Sequence, residues 1–195
     1  QYAGHYNGLT LPATMTFTRN GKGYKVVSTI KVPLYHIRFE SGGSISGNTI
    51  RPSYYKDVRG GKTYAEAKFR GNQVTYGKTG ELQTETVGGN ISDLFTLAWQ
   101  LAANDAKLPA RLSITNGKKI YPVSGMSKIG SGSYTLNGKA IPVEKYRVQR
   151  GDDTVTYSFA TSLGNIPAQI SYTDDGKTYD LELTSVSING KPVKP

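Results

Sequence analysis

Apolar residues in this chain recur at every second position, and Gly-containing pairs cut the runs at short intervals. Tyr35, Ile37 and Phe39 alternate with His36, Arg38 and Glu40. Ala65, Ala67 and Phe69 alternate with Glu66, Lys68 and Arg70. Tyr146 and Val148 do so with Lys145, Arg147 and Gln149, and Val155, Tyr157 and Phe159 with Thr154, Thr156 and Ser158. Tyr179, Leu181 and Leu183 alternate with Asp180, Glu182 and Thr184. A period of two gives each strand one apolar face and one wet face. The turn signals are Asn20-Gly21, Gly42-Gly43, Gly60-Gly61, Gly71-Asn72, Gly88-Gly89, Asn116-Gly117, Asn137-Gly138, Asp175-Gly176 and Asn189-Gly190. Asn-Gly and Asp-Gly accept the positive φ of two-residue hairpin turns. The pattern predicts an antiparallel meander.

One segment breaks the alternation. Residues 90–105 predict a helix near 91–105, with Asn90 or Ser92 as cap and Asp93 in its first turn. Leu94, Ala98 and Leu101 fall at helical spacing, with Phe95, Trp99 and Ala102 in the adjoining stripe. Thr96 and Gln100 are its polar interior residues, so the helix should be buried over most of its circumference. Pro109 helps to end it. One short helix cannot cover a flat sheet of ten or so strands. The expected fold is therefore all-β: a curved meander closed as a half-barrel, barrel or sandwich, with the helix in the concavity or across one end. Neither a low-complexity linker nor a repeat is visible, so residues 1–195 read as a single β domain.

Charge and cysteine usage narrow the partners. Lys plus Arg total 24 and Asp plus Glu 14, a net charge of +10. The surplus is spread along the chain, not gathered in a basic arm. That argues against a dedicated nucleic-acid binder and for weak attraction to anionic surfaces. No run approaches the length of a membrane-spanning helix. There is no Cys, hence no disulfide, thiol catalysis or thiolate metal site. The sequence begins at Gln1, without Met or an apolar leader. This reads as a mature chain after signal-peptide removal, and a periplasmic location is expected.

The chemical motifs are sparse. Gly43-Ser44-Ile45-Ser46-Gly47 has Ile where a nucleophile elbow needs Ser. Ser53-Tyr54-Tyr55-Lys56 and Lys78-Thr79-Gly80 imitate penicillin-recognising motifs, but Ser53 follows Pro52 in a strand-rich stretch. His5 and His36 lack the helical partner a metal pair requires. Asp152-Asp153 and Asp174-Asp175-Gly176 read as tight turns, without the spaced ligands of a calcium loop. Glu40, Glu66 and Glu182 are the strand carboxylates; most other acidic residues lie at turns or on wet faces, and a concave pair of carboxylates, or Ser with His, would revive a hydrolase reading. The chain reads as non-enzymatic, with no metal and no cofactor.

Aromatic residues remain. Phe95 and Trp99 lie one helical turn apart, and Tyr24, Tyr35, Tyr54, Tyr55, Tyr64, Tyr76, Tyr121, Tyr146 and Tyr157 lie on or beside strands. They form either a Tyr-rich core with ordinary cross-strand pairs or the lining of a hollow for an amphipathic ligand. In the second case Arg38, Arg51, Lys56, Arg59 and Lys62 are rim candidates for an acidic head group.

Three stretches, in order, carry a family resemblance. They are Tyr2-Ala3-Gly4-His5-Tyr6-Asn7-Gly8 with the Arg19–Tyr24 hairpin, Phe39-Glu40-Ser41-Gly42-Gly43 running into Ile50-Arg51-Pro52-Ser53-Tyr54-Tyr55 and Asp93-Leu94-Phe95-Thr96-Leu97, and Leu163-Gly164-Asn165-Ile166-Pro167-Ala168-Gln169-Ile170 leading into Leu181-Glu182-Leu183-Thr184. Together they resemble domain of unknown function 3108, and they span nearly the whole chain. The resemblance implies an exported, mostly β bacterial protein of unassigned function, similar to curved-sheet lipoprotein carriers. The helix departs from that pattern, with Ala98-Trp99-Gln100 where an Arg is usual.

The expected function is binding of an amphipathic, lipid-like ligand in envelope assembly or transport. Phe95, Trp99, Tyr54 and Tyr55 would line the site, and Arg38 and Arg51 would pair an anionic head group. The alternative is an interaction module whose basic strand faces dock an anionic envelope polymer or an envelope protein.

Overall fold

The computed structural model describes residues 1–6, 9–104, 107–174 and 176–194. Asn7 and Gly8 of the opening motif, Asp105 at the expected helix end, and Asp175 of the Asp175-Gly176 turn lie outside them. The strands in chain order are β1 (Tyr2–Tyr6), β2 (Leu9–Asn20), β3 (Gly23–Val32), β4 (Tyr35–Ser46), β5 (Thr49–Arg59), β6 (Lys62–Arg70), β7 (Gln73–Lys78), β8 (Gln83–Thr86) and β9 (Asn90–Asp93). After helix α1 (Leu94–Ala103) come β10 (Leu112–Thr115), β11 (Ile120–Leu136), β12 (Lys139–Arg150), β13 (Asp153–Ala160), β14 (Ile166–Asp174), β15 (Lys177–Leu183), β16 (Val186–Ile188) and β17 (Lys191–Val193). The chain is all-β with one α-helix among the described residues, as its alternation predicts.

The chain forms two compact units, Gln1–Thr14 with Ser124–Pro195, and Met15–Val123. Strands β2 and β11 run through both residue sets.

In the first unit β1 pairs with β15 and with the start of β2, and β15, β14, β13 and β12 follow as antiparallel neighbours. The alternation read from sequence is realised here. Val155, Tyr157 and Phe159 are buried, as are Tyr179, Leu181 and Leu183. Tyr172 and Tyr179 stack across strands with centroids 5.0 Å apart, and the Tyr2 hydroxyl donates to Pro167 O at 2.7 Å. Such cross-strand aromatic pairs hold register as well as area.

In the second unit β2 to β8 form a run of hairpins, each strand beside the next. Beside them β10 pairs antiparallel with the start of β11 and parallel with β9. The parallel pair departs from the expected meander. It is possible because α1 lies between β9 and β10 and serves as the crossover that parallel strands require.

The helix begins later than its sequence suggests. Residues 90–93 form β9, and the cap is Asp93, not Asn90 or Ser92. Asp93 is extended, and its Oδ1 accepts from the Phe95 and Thr96 amides at 3.0 and 2.9 Å. An aspartate satisfying two orphan amides fixes the start more firmly than either upstream residue could.

The Gly42-Gly43 pair is also not a turn. It lies inside β4, where the register with β5 shifts between the two glycines. A Cβ on Gly43 would stand 2.0 Å from Arg51 O, and one on Gly42 would stand 2.7 Å from the Tyr54 ring. Glycine is required here by close approach, a recurrent reason for glycine at a bulge.

Candidate functional site

The bulge decides which side chains face which way. Counting by twos from buried Ile50 would turn Tyr54 inward, but past the shift Tyr55 and Asp57 are the buried residues and Tyr54 faces outward. A one-residue slip exchanges the faces of a strand. The second unit therefore carries two distinct surfaces on the same strands.

The inner face holds α1. Phe95 is 2% exposed and stacks on Phe39 of β4 at 5.1 Å, and Phe39 faces buried Tyr55 of β5 at 6.5 Å. Trp99 is part-exposed and stacks on Phe17 of β2 at 4.8 Å, while its indole Nε1 is buried without a hydrogen-bond partner. Four successive strands thus reach one helix, since Tyr24 of β3 also bonds Thr96 at 3.1 Å. Strands spaced about 4.8 Å apart can do this only if the sheet bends round the helix.

The helix's polar residues are buried and anchored. Asp93 is fully buried, and its Oδ2 accepts from Ser41 at 2.6 Å and from Thr96 Oγ1 at 2.8 Å. Burial holds the Asp93 carboxyl above the ordinary aspartate range, and the bonds from Ser41 and Thr96 offset part of that. Gln100 accepts from the Ile50 amide and donates to Asn48 O at 2.8 Å, clamping the β4–β5 turn. A buried polar network of this kind specifies one seating of the helix.

The outer face carries an open groove of about 720 Å³. Its floor is a row across four strands, in which Tyr54 lies opposite Lys68, Lys68 opposite Thr75, and Thr75 opposite Thr84. Lys56, Phe69, Arg70 and Gln73 complete its walls with Glu40 and Ser53. Three cations line the groove against one carboxylate, and that carboxylate is already engaged. Glu40 takes Arg38 at 2.5 Å, Lys25 at 3.8 Å and the Tyr54 hydroxyl at 2.6 Å. Burial, and then the bond to Glu40, push the Tyr54 phenol well above its ordinary range, so Tyr54 remains a neutral donor. Lys56 lies 5.7 Å from the Tyr54 ring centre, within cation–π range.

The six residues singled out from sequence do not converge. Phe95, Tyr55 and Trp99 belong to the inner packing around α1. Tyr54 lines the outer groove, and Arg38 borders it through Glu40. Arg51 is exposed opposite Ser44 and is not among the groove residues. Of the other rim candidates, Lys56 lines the groove, whereas Arg59 pairs with Asp57 at 3.1 Å and Lys62 is exposed beside the β5–β6 turn. Tyr35, expected on the apolar face, is 42% exposed, because it stands at the strand tip beyond Ile37. Lys68, Arg70 and Thr75 were not singled out from the sequence. The wet-face positions of Lys68 and Arg70 in the alternation were visible, but the meeting of Lys68 and Thr75 with Tyr54 depends on strand register.

The other chemical candidates sit in ordinary bonds. Ser53 donates to Gly42 O at 3.1 Å, and His5 lies 3.2 Å from Glu182. Among the described residues no three metal-binding side chains cluster, and no helix is long and apolar enough to cross a membrane.

These features define an all-β protein whose second unit has an inner face filled by a helix and a basic outer groove. The chain belongs to the family described as protein of unknown function DUF3108, whose model matches residues 1–184. No curated protein matches the sequence. Among solved structures, it is similar to a beta-barrel-like protein of domain of unknown function DUF1849 from Brucella abortus. That likeness has a TM-score of 0.57 at 9% identity and covers 94% of this chain and 93% of that one. At such identity the likeness is one of fold.

Proposed function

We propose that the protein is a non-enzymatic binding module of the bacterial cell envelope, exported to the periplasm, and that it docks an anionic polymer along the outer groove of its second unit. The observation that carries this reading is the row Tyr54–Lys68–Thr75–Thr84, flanked by Lys56 and Arg70. A row of donors and cations along an open channel suits a chain of repeating anionic units. Hydroxyls and the Tyr54 ring give hydrogen bonds and stacking, and the cations give attraction that salt weakens. Titration of fluorescent polygalacturonate, with neutral dextran as control, tests it. Binding of the acidic polymer alone, weakening as salt rises, is expected. Equal binding of both polymers, or of neither, would overturn the reading. Cell fractionation tests the location.

A second reading is favoured by Trp99, whose part-exposed indole carries a buried donor with no partner. In that reading an amphipathic, lipid-like ligand lies against Trp99 and Phe17. Native mass spectrometry of protein purified without detergent tests it: a recurring bound mass, lost in Trp99→Ala, supports the ligand, and a bare chain opposes it.

A further inference from the structure

The β3–β4 hairpin of the second unit ends in Pro33-Leu34-Tyr35, and this tip is built contrary to usual surface practice. Leu34 is fully exposed, at 104% of its reference area, and Tyr35 is 42% exposed. Leu34 also holds a left-handed backbone, φ +77°, which a branched apolar residue rarely adopts. Neither packing nor turn chemistry explains a Leu there, since Gly or Asn would make the turn with less strain.

The surroundings are basic. The Gly60 amide donates to His36 O at 3.0 Å, which ties the β5–β6 turn to this tip and brings Arg59 and Lys62 to the same end of the sheet. Next along that end, Tyr64 gathers three cations around its ring. Arg59 lies 4.0 Å, Lys78 5.7 Å and Lys118 5.8 Å from the ring centre. Carboxylates at this end include Asp57, buried and bonded to Arg59, Glu66, two residues beyond Tyr64 in β6, and Glu81, after β7.

We propose that this end of the second unit docks on an anionic lipid surface, with Leu34 inserting among the acyl chains and the cations around Tyr64 meeting the phosphates. An exposed aliphatic side chain beside an aromatic ring and a belt of cations is the arrangement that suits the boundary between head groups and acyl chains. The charge is complementary to anionic lipid, and the attraction is long-ranged enough to orient the tip before insertion. This inference is independent of the outer groove. The two share no residue, and the groove residues Arg70 and Gln73 lie at the opposite strand ends.

The chain has no Cys, so one introduced thiol reports one place. Leu34→Cys and, at the opposite end, Asn72→Cys are each labelled with an environment-sensitive dye and mixed with vesicles of phosphatidylglycerol and phosphatidylcholine. The label at 34 is expected to shift to the blue and to be quenched by a quencher held in the acyl region, while the label at 72 is unchanged. Leu34→Asp is expected to weaken vesicle sedimentation about tenfold, since one inserted apolar chain and one repelling charge act together. Asp accepts positive φ better than Leu, so the fold tolerates that change. The proposal is overturned if neither label responds, if both respond alike, or if Leu34→Asp sediments like the parent. It is also overturned if the label at 34 shifts with protein concentration alone, which would assign the tip to a second copy of the chain.

Discussion

Tyr54 and Tyr55 are neighbours in β5 and stand on opposite faces of it. Tyr55 is 4% exposed and packs toward Phe39 and the helix, whereas Tyr54 donates to Glu40 on the outer face and lines the groove. The inner face is aromatic and largely buried against α1. The outer face is wet, basic and open. The difference teaches that composition along a strand does not assign a role; the bulge at Gly42/Gly43 does. Inner residues should therefore govern stability, and outer ones should govern binding.

The comparison can be broken most severely from inside. Phe95→Ala removes a ring that is 2% exposed and is expected to cost about 3–5 kcal/mol in urea unfolding. A loss below about 1 kcal/mol would mean that the inner face is loosely packed. Asp93→Ala removes the helix cap and leaves the Ser41 and Thr96 hydroxyls without their acceptor. A loss of about 2–3 kcal/mol is expected by the same measurement. Gly43→Ala attacks the device that separates the faces. Its new Cβ meets Arg51 O, and a cost of about 1–3 kcal/mol is expected, with loss of polymer binding as the β5 register moves.

The acid–base behaviour of Asp93 sharpens the contrast more gently. Its folded-state pKa is raised by burial. Its contribution to stability is therefore fully present below the unfolded value, near 3.8, and is lost as pH rises through the folded value. Asp93→Asn keeps a capping side chain and should flatten the fall in stability just above pH 3.8, seen as a shallower dependence of Tm on pH. An unchanged pH profile would show that Asp93 does not titrate differently on folding.

Much of the architecture was legible because period-two burial is local. Ile37 and Phe39, Ala65 and Ala67, and Val155 and Tyr157 all face inward as their alternation indicates. The apolar helix was legible for the same reason, although its first three expected residues, 91–93, pair with β10 as part of β9. What stayed hidden depends on contacts distant in sequence. Gly42-Gly43 has the composition of a turn, and only the approach of Arg51 O makes it a bulge. Counting by twos from Ile50 then puts Tyr54 on the wrong side. The groove was hidden too, because Lys68, Thr75 and Thr84 reach Tyr54 through the register of four strands. Arg38 and Phe95 were both sensible candidates, but they serve opposite faces of β4.

Binding is expected on the outer face of the second unit. The most direct test is titration of labelled polygalacturonate against Lys56→Glu/Lys68→Glu, with Lys191→Glu/Lys194→Glu as a control carrying the same change in net charge at exposed positions outside the groove. The account predicts about tenfold weaker binding and a shallower salt dependence for the first pair alone, with Tm within a few degrees of the parent for both. Equal weakening by the two pairs would contradict it, because the polymer would then be answering the net charge of the chain and not the groove.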